Sequence, residues 1–141
     1  MTTPDERYLL IRTPPPLEAY LRLRAESGLT RKRADQAQAA LTGSWAAAHI
    51  QETATGCPVA MGRVIGDGGW YFHIADMAVL PDHQRQGLGD RILTDLLESI
   101  RSHAPAGAWV TLMADPPGRR LYNRHGFRET APDSLGMALT L

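Results

Sequence analysis

At 141 residues, with 43% hydrophobic and 21% charged residues, the chain has the size and composition of one globular domain and is too apolar for general disorder. Fifteen basic residues balance fifteen acidic ones, which excludes the basic footprint of a nucleic-acid binder. No apolar run is long enough to span a bilayer, the opening Met1-Thr2-Thr3-Pro4-Asp5-Glu6 has no signal-peptide core, and the lone Cys57 excludes an internal disulfide or a Cys-rich metal site. The expectation is a single cytoplasmic domain over residues 1–141, with no membrane or nucleic-acid partner.

In chain order, Tyr8-Leu9-Leu10-Ile11 reads as a first strand, stopped by Pro14-Pro15-Pro16. Pro16 suits a helix start; Leu17, Tyr20 and Leu21 follow at helical spacing until Ser27-Gly28. A second, weakly amphipathic helix is expected from Arg33 to Leu41. Three strands follow as a meander: Ser44 to Gln51, Val59 to Ile65 and Trp70 to Leu80. Thr55-Gly56 and the stronger Gly66-Asp67-Gly68-Gly69 turn separate them. Leu88 to His103 is the clearest helix, with Leu88, Ile92, Leu93, Leu96, Leu97 and Ile100 on one stripe and charged residues opposite. After Pro105-Ala106-Gly107, Ala108 to Ala114 reads as a buried strand and Pro116 to about His125 as a short helix closed by Gly126. Phe127 and Gly136 to Leu141 read as two final strands. Strand, helix 88–103 and strand 108–114 together require a locally parallel pair in an otherwise antiparallel sheet.

The segment with chemical content is Gln84-Arg85-Gln86-Gly87-Leu88-Gly89, between the third meander strand and the best helix. A helix N-terminus presents unpaired N–H groups and the positive end of the helix dipole. Glycines at 87 and 89 let the backbone curl around a diphosphate, and Arg85 adds a positive charge. The spacing is neither G-x-G-x-x-G nor a P-loop, which excludes dinucleotide and Walker readings. Two glycines alone favour a plain tight loop.

In context the segment resembles the signature of the GNAT N-acetyltransferase family, Gln/Arg-x-x-Gly-x-Gly/Ala, after a strand ending in an Ala-Val-x-Pro-like run. Asp76-Met77-Ala78-Val79-Leu80-Pro81 supplies that lead-in. Leu121-Tyr122-Asn123-Arg124-His125-Gly126-Phe127 is similar to the family's second motif, Leu-Tyr-x-x-x-Gly-Phe. The order of elements matches as well. Gly62 to Gly69 and Gly136-Met137 further resemble a small bacterial single-domain branch. The resemblance implies an α+β, three-layered fold. Its mixed, mostly antiparallel sheet would have seven strands, with a parallel central pair splayed to admit acetyl-CoA and about four flanking helices.

The resemblance also implies roles. Met77, Ala78 and Val79 would pair by backbone with the pantetheine arm of acetyl-CoA. The N–H groups of Arg85, Gln86, Gly87, Leu88 and Gly89, with Asp90 beside them, would hold its pyrophosphate. The Met77 amide would face the thioester carbonyl. A neutral amine then attacks the thioester directly, so a base and an acid are needed. Tyr122 matches the family's general acid, against the alternative of a core aromatic bonded to backbone. His73 stands where relatives carry a base, against the alternative of packing below Tyr71 and Phe72; Asp76 or a water is the other choice. Regular alternation puts residues 73 and 76 on opposite faces unless a bulge intervenes. Gly28-Leu29, Trp45, Arg63 and Trp70 are acceptor-pocket positions by family analogy, Arg63 either anchoring a substrate carboxylate or pairing with an acid. His103 and His125 read as helix-end residues, and no His-Cys-carboxylate spacing suggests a metal. The expected acceptor is the primary amine of a small molecule, such as an amino acid, a polyamine or an amine antibiotic. Acetylation of a protein N-terminus or lysine and a non-catalytic acyl-CoA sensor are the alternatives. A homodimer is compatible with the family.

Overall fold

The computed structural model describes residues 4–141. Its sheet has five strands in the order β1 (Tyr8–Ile11), β2 (Ala46–Glu52), β3 (Pro58–Gly66), β4 (Tyr71–Val79) and β5 (Trp109–Leu112). The first four run antiparallel to their neighbours, and β4 pairs β5 in parallel. The helices are a short α1 (Pro4–Arg7), α2 (Leu17–Glu26), α3 (Ala34–Thr42), α4 (Leu88–His103) and α5 (Arg119–Arg124).

Neighbouring strand residues point to opposite faces, which sorts the sheet into two layers. Gly62 of β3 lies under Ile92 and Leu96 of α4, so even-numbered β3 positions face that helix. Arg63 points the other way, toward α2 and α3, where it meets Asp76 and the carbonyl of Ala40. The expected stripe on α4 is the observed one: all six of its apolar residues are buried. Burying each contributes about 1.5–3 kcal/mol relative to exposure, so this one helix supplies a large share of the core. The β3–β4 hairpin closes at Asp67, whose Oδ1 accepts N–H bonds from Gly69, Trp70 and Tyr71 at 2.7, 2.9 and 3.2 Å.

The two final strands expected at Phe127 and over Gly136–Leu141 do not form, so the described residues hold five strands rather than seven. Phe127 instead packs against the core beside Tyr122. Leu135, Met137, Leu139 and Leu141 are all exposed. Alternation makes a strand only when another strand meets its hydrogen-bonding edge, and none among the described residues does.

Gly62 is the tightest point between sheet and helix. An added Cβ would lie 2.6 Å from Met77 Sδ and 2.7 Å from Ile92 Cγ2. Gly62→Ala is therefore expected to destabilise the protein by about 1–3 kcal/mol through overpacking. The check is a fall in the urea midpoint at unchanged m value.

Candidate active site

The parallel pairing of β4 with β5 ends at Ile74 and Leu112. From there β4 runs on to Val79 with β3 as its only strand partner among the described residues. Residues 75–79 thus present an open backbone edge in a splay between the two parallel strands. Backbone groups on such an edge require partners from outside the sheet.

The splay begins at a bulge. The β3–β4 register shifts between Met61 and Arg63, and across the shift Asp76 has φ 58°, in the left-handed region that a side-chain-bearing residue seldom occupies. Three side chains hold it there. Arg24 Nη1 donates to Oδ1 at 2.6 Å, while Tyr20 Oη and Arg63 Nε donate to Oδ2 at 2.5 and 2.6 Å. Burial would by itself push the Asp76 carboxyl up. The hydrogen bonds of Tyr20 and Arg63 and the charges of Arg63 and Arg24 overcome it and hold the group below the usual carboxylate range. The Tyr20 phenol is pushed up by burial and then by Asp76.

The bulge settles the question of faces. Asp76 turns to the α2–α3 side, the side of Arg63, whose charge also reaches His73. Residues 73 and 76 therefore share a face, as regular alternation would not allow. His73 Nδ1 shares a hydrogen bond of 2.9 Å with Thr111 Oγ1 of β5, its register partner. Burial, and then the Arg63 charge, pushes its imidazole down, which leaves it neutral near pH 7. Arg63 is the partner of an acid rather than a free anchor. Of the other acceptor-pocket positions, Trp45 packs edge-on against Phe72 and Trp70 is exposed in its hairpin. A small recess lies above the bulge, lined by Pro14, Pro15, Tyr20, Met61, Arg63 and Asp76.

The open edge leads into the turn before α4. Gln84 Nε2 donates to the Val79 carbonyl at 3.1 Å and ties the turn to the strand. Arg85 and Gly87 both take positive φ, 60° and 76°, and Gly87 is the N-cap. No side chain caps α4, so its first N–H groups are open to an anion while Leu88 anchors the turn in the core. The two glycines do different jobs. Gly87 supplies a backbone conformation; Gly89 supplies space, since an added Cβ would lie 3.3 Å from Leu121 Cδ2. Val79 also borders that position.

Leu121 belongs to α5, and beside it Tyr122 folds its ring against the backbone of Gly118 and edge-on to Phe127. Burial and then the Asp115 charge push the Tyr122 phenol up, so it keeps its proton near neutrality. His125 is more than a helix-end residue. Its Nε2–H donates to Asp90 Oδ1 at 2.7 Å, which fastens the end of α5 to the first turn of α4. Sequence reasoning missed this pair, as it missed Tyr20 and Arg24, because each contact joins segments far apart in the chain. His49 and His83 lie outside this cluster, held by the Thr13 carbonyl and the Tyr8 hydroxyl. No group of three metal-ligating side chains occurs among the described residues.

The fold and this site define an acyltransferase of the GNAT class, and comparison with known proteins agrees. Residues 43–129 match the family model described as the acetyltransferase (GNAT) domain. The structure is similar to a probable acetyltransferase from meticillin-resistant Staphylococcus aureus, with 33% identity, TM-score 0.89, and coverage of 95% of this chain and 99% of that one. It shares its fold with a GNAT family protein from Streptococcus pneumoniae (24% identity, TM-score 0.75, 95% and 98% covered). The same holds for an aminoglycoside acetyltransferase from an uncultured soil sample (18% identity, TM-score 0.68, 95% and 98% covered). No curated protein matches the sequence. The chain belongs to the GNAT acetyltransferase family and is an N-acetyltransferase.

Asp76→Asn is expected to cost about 3–5 kcal/mol, because two largely buried guanidinium groups lose their counter-charge. The wild-type Asp76 carboxyl is lower in the folded than in the unfolded chain. Its contribution is therefore complete above about pH 4 and is lost as pH falls through the folded value. Urea denaturation between pH 3 and pH 7 should show the difference between the two proteins shrinking toward the acid end.

Proposed function

We propose that this protein transfers an acetyl group from acetyl-CoA to the primary amine of a small molecule by direct attack on the thioester. The observation that carries the reading is the continuity of the open β4 edge at residues 75–79 with the uncapped N-terminus of α4 at Gly87. A peptide-like arm ending in a pyrophosphate has the groups these two features lack. The backbone of Met77, Ala78 and Val79 would pair with the arm. The N–H groups of Arg85 to Gly89 and of Asp90 would face the pyrophosphate, with the Asp90 carboxylate turned aside to His125.

The bound cosubstrate supplies an activated acyl group and a thiol leaving group. The chain's own residues supply orientation and proton movement. The Met77 amide is the donor toward the carbonyl oxygen that gains charge when the amine nitrogen adds to the acyl carbon. As the carbon–sulfur bond breaks, Tyr122 delivers its proton to the sulfur. His73 accepts the proton that the new amide nitrogen must lose, directly or through water, with Thr111 fixing its ring. Asp76 is poorly suited to that task, because both its oxygens are engaged and its proton affinity is low. Its place is to position the bulge. The neutral overall charge favours a small acceptor over a protein, and an amine antibiotic, the acceptor class named for one structural neighbour, is one candidate.

Thiol release from acetyl-CoA, measured against a panel of amino acids, polyamines and aminoglycosides, tests the reading. Turnover on at least one amine is expected; cosubstrate binding without turnover on any would support a sensor instead. Tyr122→Phe should lower kcat by about 10²-fold or more, and an unchanged kcat would remove Tyr122 from the mechanism. His73 must be neutral to act, so activity should rise with pH, with the midpoint of the rise below the ordinary histidine value of about 6.5. His73→Ala should lower turnover and abolish that acidic limb; an unaltered limb would exclude His73 as the base.

A further inference from the structure

Strand register divides one face of the sheet into a covered part and an open part. Residues opposite each other on paired strands share a face. Ile65 lies opposite His73, Tyr71 opposite Trp109, and His73 opposite Thr111. The Thr111 hydroxyl is 2.9 Å from His73 Nδ1 and 3.5 Å from Tyr71 Oη, so these side chains meet on one side of the sheet. Arg63 alternates onto that same side with Ile65. Helices α2 and α3 cover the face at Arg63 and Asp76. Its other end is open: Ile65, Tyr71 and Trp109 are 44%, 42% and 51% exposed. Leu9 apart, no other large apolar side chain on a described strand is exposed.

Neighbouring exposed apolar side chains mark a surface that meets another molecule, and here they border the candidate base. The acceptor nitrogen must come within hydrogen-bond reach of His73, directly or through one water, so the rest of the acceptor falls on the side chains around it. Two of these, Tyr71 and Trp109, are aromatic, and Trp70 stands edge-on to Tyr71 with ring centroids 5.3 Å apart. Aromatic rings bury a large area and favour edge-on or offset contact with a further ring. The nearby charges work against a second ammonium group. Arg24 and Arg63 share the single carboxylate of Asp76, both of whose oxygens are engaged. Asp67, at the hairpin end, holds three backbone N–H groups on Oδ1. The positive charge of Arg63 reaches His73 itself.

We propose that the acceptor is a monoamine carrying an aromatic ring, and that Ile65, Tyr71 and Trp109 form the platform on which the ring lies while the amine meets His73. This assignment rests on the role of His73 in the proposed transfer and narrows the acceptor from any small amine to an arylalkylamine. Same-face neighbours on a strand lie about 7 Å apart, so a two-carbon linker between ring and nitrogen reaches from Tyr71 to His73. The single ammonium of such an acceptor loses its charge before attack, and no second charge is left facing Arg63. A polyamine or an aminoglycoside keeps further ammonium groups, which an apolar platform leaves without counter-charge.

Thiol release from acetyl-CoA with phenethylamine, butylamine, putrescine and an aminoglycoside tests the assignment, joined to calorimetric binding of each amine in the presence of CoA. The kcat/KM for phenethylamine should exceed those for butylamine and putrescine by about tenfold or more. Trp109→Ala and, independently, Tyr71→Ala should bring the phenethylamine-to-butylamine ratio close to one, mainly through KM for the amine. Trp109→Phe should keep most of the preference, and acetyl-CoA binding by each variant reports that it is folded. Equal or better turnover of putrescine or the aminoglycoside, or a ratio that both alanine variants leave unchanged, overturns the proposal. An unchanged ratio together with an altered mass in sedimentation would make this face a contact between copies, which overturns it too. If no amine is turned over, acetyl transfer to a small amine fails on its own, and binding decides the platform. Phenethylamine held by the wild type and lost from both alanine variants then supports it, and phenethylamine that does not bind removes it.

Discussion

The carboxylate of Asp76 is the contact on which the site geometry rests. A residue with positive φ in mid-strand is unfavourable by itself, and it persists only where its surroundings hold it. Here two arginines and a tyrosine from β3 and α2 converge on one side chain. The bulge they stabilise turns residue 76 toward α2, bends β4 and precedes the stretch that leaves β5. Removing charge from this cluster would disturb the sheet edge as well as the packing of α2, because one carboxylate serves both.

Helix α4 joins stability to binding in a similar way. Its apolar stripe is the main cover of the sheet, and its buried first residue, Leu88, makes the turn before it a rigid platform. The uncapped N–H groups at that end would be a defect in a purely structural helix. In the proposed function they would be the surface that meets the pyrophosphate. Leu121 packing on Gly89, together with the His125–Asp90 bond, brings α5 and Tyr122 to the same end of α4. The candidate acid is thereby placed by the same turn that would hold the pyrophosphate.

Some of this was legible from residue order. The α4 stripe, the meander, the parallel crossover and the anion turn all arise from local patterns: periodicity, turn residues and a glycine signature. They involve near neighbours in the chain, and sequence displays near neighbours directly. The GNAT resemblance added the order of motifs and directed attention to Tyr122 and His73. The different work of Gly87 and Gly89 was hidden, since a glycine needed for φ and one needed for space read the same.

What only tertiary structure decided are the contacts between distant segments. Tyr20 and Arg24 meet Asp76 across more than fifty positions, and His125 meets Asp90 across thirty-five. Periodicity carries no information about such pairs, because they depend on how helices lie against the sheet. The last strands show the same limit from the other side. A strand was expected over Gly136 to Leu141 and does not form, because a strand is a property of two paired backbones and no described residue pairs with this segment. The sequence by itself determined which segments are apolar on one face and where a glycine turn precedes the main helix. The fold decided which edges stay open, because hydrogen bonds between strands and charges brought together in a core exist only once the chain has closed on itself.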